Sequence, residues 1–105
     1  MVVTIGKNTN ISTEPTVDDG VEITGNVAVT AVSENLQRVR VIITIDVADA
    51  FIRMMPAATD NSVRKGILVR AGMTWEMEEG TEYPGEISII NAKNNRKPVF
   101  YVTQL

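Results

Sequence analysis

The stretch Arg38 to Met55, RVRVIITIDVADAFIRMM, constrains this chain more than any other. Successive side chains of a strand point to opposite faces, so Val39, Val41, Ile43 and Ile45 share one side while Arg40 and Thr44 take the other. A strand that is apolar on one side has to be covered by a second apolar layer. Ala50 to Met55 reads as a second strand, paired with the first through the tight acidic turn Asp46-Val47-Ala48-Asp49. Pro56 ends it, because proline has no N–H for a sheet ladder. The rest of the chain is then expected to supply the strands of the covering layer.

It has the segments to do so. NVAVTAV, from Asn26, alternates with Val27, Val29 and Ala31 on one face, and Ser33-Glu34-Asn35 closes it as a turn. Gly66 to Arg70 is a short apolar strand that Ala71-Gly72 turns into MTWEME, with Gly72 supplying the positive φ of a tight hairpin. In MTWEME, Met73, Trp75 and Met77 point inward and Thr74, Glu76 and Glu78 outward. GEISII follows a turn-rich link, then come the loop NAKNNRK and the final PVFYVTQL, with Pro98 at a strand start. Short strands separated by Gly, Pro, Asn and Asp, with no sustained 3.6-residue period, predict an all-β antiparallel β-sandwich, jelly-roll-like or a small barrel.

A chain of 105 residues holds one hydrophobic core. That core is placed in residues 26–105, and residues 1–25 read as an extended N-terminal arm. The arm has a short β-like start at Val2 to Ile5 and then a polar run whose side chains favour turns over packing. Two readings of it stand, a solvated tail and an arm ordered by a neighbouring subunit. Its charge is distinctive: Lys7 stands against Glu14, Asp18, Asp19 and Glu22, which accounts for the whole net charge of −3, since the remaining nine basic and nine acidic residues cancel. No apolar run approaches the ~20 residues of a membrane helix, and Met1-Val2-Val3 leads into Lys7 without a signal-peptide core. The expectation is a chain that starts at Met1, is made in a cytoplasm and has no membrane partner.

Catalytic chemistry finds little to use. With no cysteine and no histidine, thiolate and imidazole metal sites and the commonest general base are all missing. Asp18-Asp19 with Glu22, and Asp46 with Asp49, lack the spacing that wraps a loop around calcium, and turn chemistry explains them. Glu76, Glu78, Glu79 and Glu82 resemble a glycosidase carboxylate pair only in composition; on an outward face they suit solvent or an intersubunit salt bridge. Ser12, Ser33, Ser62 and Ser88 have no base to activate them. The expectation is a protein that is not an enzyme, with no catalytic, cofactor or metal residues. Lys93, Arg96 and Lys97 form one basic loop, read as solvated or as a contact to an acidic protein surface. It has no stacking aromatics beside it, and the net charge has the wrong sign for nucleic acid. Arg40 and Arg53 alternate within apolar strands, where a planar fork pairs with carboxylates across an interface or across the same sheet. The candidate interface is therefore Glu14, Asp18, Asp19, Glu22, Arg40, Arg53, Glu76, Glu78, Lys93, Arg96 and Lys97.

From about Asn26 to Leu105 the chain resembles a family of small tailed-bacteriophage virion proteins. The segments that carry the resemblance are VTAVSENLQR, with its Asn-x-x-Arg turn, then RVRVIITI, AFIRMM, RKGILV, the Ala-Gly turn of RAGMTWEME, YPGEISII and FYVTQ. The departure is Asp46-Val47-Ala48-Asp49, where the family more often has an Asn/Asp/Gly turn. These are turns and core positions, so they transfer fold and not chemistry. The resemblance implies a β-sandwich module of the virion: a capsid decoration or cement protein that binds the major capsid protein, with a homotrimer favoured if it caps threefold positions. A fibre or tail module is the alternative, although five aromatic residues suit carbohydrate binding poorly. A small-molecule-binding β-barrel lacks the histidines for a metal site.

Overall fold

The computed structural model describes residues 16–17, 20–36, 40–77 and 83–104, and every regular element among them is a strand. β1 (Thr16–Val17), β2 (Val21–Glu22), β4 (Val41–Asp46), β7 (Thr74–Glu76) and β9 (Val99–Gln104) form one sheet. β3 (Val29–Val32), β5 (Ala50–Arg53), β6 (Ile67–Val69) and β8 (Ile87–Asn91) form the other. The first sheet runs β1-β9-β4-β7, with β2 also paired to β9, and the second runs β3-β8-β5-β6. All pairings are antiparallel.

The two sheets pack face to face because each strand turns its alternate apolar residues toward the other layer. Val41, Ile43 and Ile45 of β4 meet Ala50 and Ile52 of β5, Ile87 and Ile89 of β8, and Phe100 and Val102 of β9, all buried. Each buried isoleucine is worth about 1.5–3 kcal/mol of transfer free energy, so this layer dominates stability. In β3 the register with β8 shifts between Thr30 and Val32. That bulge resets the expected alternation and carries Val32 into the core, while Val27, expected on the inner face, is 44% exposed.

Two connections differ from the sequence expectation. β4 and β5 are not paired with each other: residues 46–49 carry the chain from one sheet to the other, and β4 lies between β9 and β7. Gly72 does have a positive φ, 90°, but the turn it serves likewise joins β6 of one sheet to β7 of the other. Alternation with a polar turn is equally compatible with a hairpin and with a crossing, and here the need to cover both apolar layers decides for crossings. Only β5 and β6, among consecutive strands, pair directly.

Residues 20–25, assigned to the arm by composition, are built into the sandwich. β1 and β2 both lie along β9, with Val17 opposite Thr103 and Val21 opposite Phe100, so the register shifts by one residue between them. Gly20 sits there at φ 101°, and a Cβ would lie 2.7 Å from the Tyr101 ring. Ile23 is fully buried in the core and its N–H donates to Pro98 O at 2.9 Å. The expected arm residues 1–15, 18 and 19 lie outside the described residues.

The β5–β6 connection adds a third layer. It folds over the outer face of the second sheet, which is why all five residues of β8 are buried. Ser88 Oγ donates to Met55 O at 2.8 Å, and Ala28 N–H donates to Asn61 O at 2.7 Å. Glu86 pins the start of the loop, accepting from Ala57 N–H at 2.8 Å and from the Thr30 hydroxyl at 2.7 Å. These bonds, the Ala57 N–H first, hold the Glu86 carboxyl below its ordinary value of 4.5. A carboxylate with a depressed folded-state pKa contributes stability above its unfolded value, and that contribution fades as pH falls through the folded one. Urea midpoints of wild type and Glu86→Gln are therefore expected to differ at neutral pH and to converge progressively as pH falls below about 4.5 and the Glu86 carboxylate takes up its proton. A constant difference across that range would remove Glu86 as the source.

Candidate functional site

Four connections meet at one end of the sandwich: residues 23–28, 46–49, 70–73 and 92–98. Asp49 ties two of them to its own loop, its Oδ1 accepting from Ala71 N–H at 2.9 Å and its backbone O from Ala92 N–H at 3.0 Å. Asn26 Oδ1 accepts from Asn95 N–H at 2.8 Å and from Asn91 Nδ2 at 2.9 Å, which joins the 23–28 loop to the 92–98 loop. Asn91 is fully buried and also donates to Arg96 O at 3.0 Å. Arg64 completes the network, with Nε donating to Asn91 O at 2.8 Å and Nη2 to Asn94 Oδ1 at 2.6 Å. A buried amide satisfied this fully, Asn91, sets the positions of the loops bonded to it.

On this rigid base stand exposed apolar side chains. Val47 is 67% exposed and Met73 58%, and Val27 of the 23–28 connection is exposed as well. Val47 has φ 72°, a region that costs a β-branched residue of order 1–3 kcal/mol. Asp46 holds it there, Oδ1 accepting from Val47 N–H at 2.8 Å. Arg70, Lys93, Arg96 and Lys97 are exposed around the same end. An apolar tip ringed by cations can dock on a surface that is apolar at its centre and acidic at its rim.

The other expected interface residues are scattered. Arg53 is corrected: it is 1% exposed, buried within its own chain. It lies on the outer face of its sheet, as alternation requires, but the β5–β6 loop covers that face. Its guanidinium donates to Asp60 O at 2.8 Å, Val63 O at 3.2 Å and Pro56 O at 3.1 Å, and also to Thr59 O. Nε, the remaining donor, is buried without a partner among the described residues. Arg40 and Glu76 are partly exposed and form an ion pair with each other across β4 and β7, a surface pair worth about 0–1 kcal/mol. Glu22 is exposed on β2, opposite Val99. Glu14, Asp18, Asp19 and Glu78 lie outside the described residues.

Met73 differs from the expected inward row. Met77 is buried and Trp75 packs partly against the core, but β7 is the last described strand of its sheet, and Met73 projects past the covering layer. Sequence reasoning missed Val47 and Val27 as surface features, since apolar residues in a turn carry no signal of exposure. Among the described residues no group of His, Cys, Asp or Glu is placed to hold a metal ion, and no helix is long and apolar enough to cross a membrane. No family model, curated protein or solved structure matches this chain.

Proposed function

We propose that this chain is a nonenzymatic structural protein of a bacteriophage particle, a decoration or cement protein that binds the capsid shell over junctions of coat subunits. The observation that supports it most is the strand order, β2-β9-β4-β7 over β3-β8-β5-β6. Read in chain order from β2 to β9, these strands alternate between the sheets except at the β5–β6 pair, as in a jelly roll of two Greek keys, an architecture that viral capsid domains share with lectins and cupins. The inference is an analogy of fold. The segments that carry the phage resemblance fall on β3 to β9.

The loop end supplies the contact to the coat protein in this reading, with Val47 and Met73 at its centre and Lys93, Arg96 and Lys97 at its rim. Each contact is modest, and repetition over many copies stabilises the shell by binding. Purified protein mixed with empty phage capsids is expected to co-sediment saturably, at a fixed number of copies per shell. Val47→Asp, which places a charge at the centre, should weaken binding by about tenfold or more, as loss of a central contact does. Binding to host cells or glycans in place of shells would instead make the chain a fibre or tail module.

A further inference from the structure

We propose that the edge formed by β6 and β7 receives residues Val2 to Ile5 of a second copy of this chain as an added strand, linking copies head to tail. β6 and β7 are the terminal described strands of their sheets, and residues 70–73 join them directly, so both edges lie on one side of the sandwich. Ile67, Leu68 and Met73 are 39%, 44% and 58% exposed along that side. Proteins usually protect such edges with lysine, proline or a charge. Residues 67–69 and 73–77 contain neither lysine nor proline, and Glu76, their one charge, is already paired with Arg40.

The backbone of β7 is open in the same direction. Met73 O accepts from Ile45 N–H and Met77 N–H donates to Val41 O, so residues 73, 75 and 77 aim their backbone groups at β4. In an antiparallel ladder the alternate residues, Thr74 and Glu76, aim theirs the other way. Among the described residues no strand pairs with that side. An added strand would complete the ladder, the usual mode of strand addition to a sheet edge.

The occupant follows from what precedes β1. Val2-Val3-Thr4-Ile5 is the longest β-branched run in residues 1–15. Its pattern fits the edge: Val3 and Ile5 on the core side beside Met73 and Trp75, Thr4 on the outer side beside Thr74. β1 pairs with β9 at the side of the sheet away from β7, and Pro15 cannot donate to a continuation of that ladder. β1, which the donor segment precedes, and the acceptor edge thus lie on opposite sides of one copy, an arrangement that suits a head-to-tail contact closing into a ring or extending into a chain. From Ile5 to Thr16 an extended chain reaches roughly 36 Å. That exceeds the two shorter extents of the molecule, 25 Å and 19 Å, though not the longest, 44 Å, so the segment can reach a neighbour packed across a short axis.

The absence of cysteine makes the test clean. Thr4→Cys and Thr74→Cys, prepared separately, mixed and oxidised, are expected to give a disulfide-linked species of twice the chain mass that contains one of each variant. Its yield should exceed that of either self-product, and should fall at least tenfold when the Thr74→Cys partner also carries Met73→Asp, with folding checked by circular dichroism. No mixed product, or one no more abundant than the self-products, would overturn the proposal. So would quantitative ring closure of the double variant within single chains at high dilution, which would assign the edge to the chain's own segment. Both experiments use isolated protein, and their outcome is separate from capsid binding.

Discussion

Arg53→Ala is expected to destabilise the fold by about 3–5 kcal/mol, the largest effect of any single substitution outside the hydrophobic core. The side chain is 1% exposed, and four carbonyls of residues 56–63 turn toward its guanidinium. Desolvating the cation offsets much of what the four bonds contribute. Truncation, however, leaves a void and four carbonyls without their donor, and the penalty of unmade bonds exceeds the net worth of made ones. Arg53→Lys should recover only part of the loss, since one ammonium cannot reach carbonyls on both sides of a planar fork. Urea unfolding measures the loss, and protease cleavage within residues 54–65 should accelerate in parallel. A loss below about 1 kcal/mol would mean that the loop holds without its clamp.

Ile23→Ala should cost about 3 kcal/mol, the usual price of truncating a fully buried isoleucine. For a domain of this size that corresponds to a fall of roughly 10–20 °C in melting temperature. The residue closes the core beneath β9, and its N–H donation to Pro98 ties the 23–28 loop to the basic loop. A neutral outcome would return residues 20–25 to the tail that their composition suggests. The two substitutions also separate the layers: Ile23 acts between the sheets, Arg53 on the covered outer face.

Composition misjudged residues 20–25 because a single core contact, Ile23, is enough to anchor a polar segment once β9 offers it an edge. The same locality explains Arg53. Alternation correctly put it on the face opposite Ala50 and Ile52, yet whether that face meets solvent, a partner or the chain's own loop depends on residues up to ten positions away. The signal that was present lies in β8: ISIIN lacks strict alternation, as a strand covered on both sides should, and that points to a third layer over its sheet. Of the interface residues expected from charge, Lys93, Arg96 and Lys97 are brought to the loop end, Arg40 and Glu76 neutralise each other, and Arg53 is withdrawn inside.

By itself the sequence determined that this chain forms strands, where most of them run, and which face of each is apolar, because a two-residue period is a property of neighbouring side chains. Tertiary structure alone decided which sheet each strand enters, that residues 46–49 cross between layers, and which polar residues are covered. Those outcomes depend on edges already taken: β4 has β9 and β7 on its flanks, so β5 has to pair elsewhere. Pairing partners are chosen by burial summed over the whole core, and no short stretch of chain holds that sum.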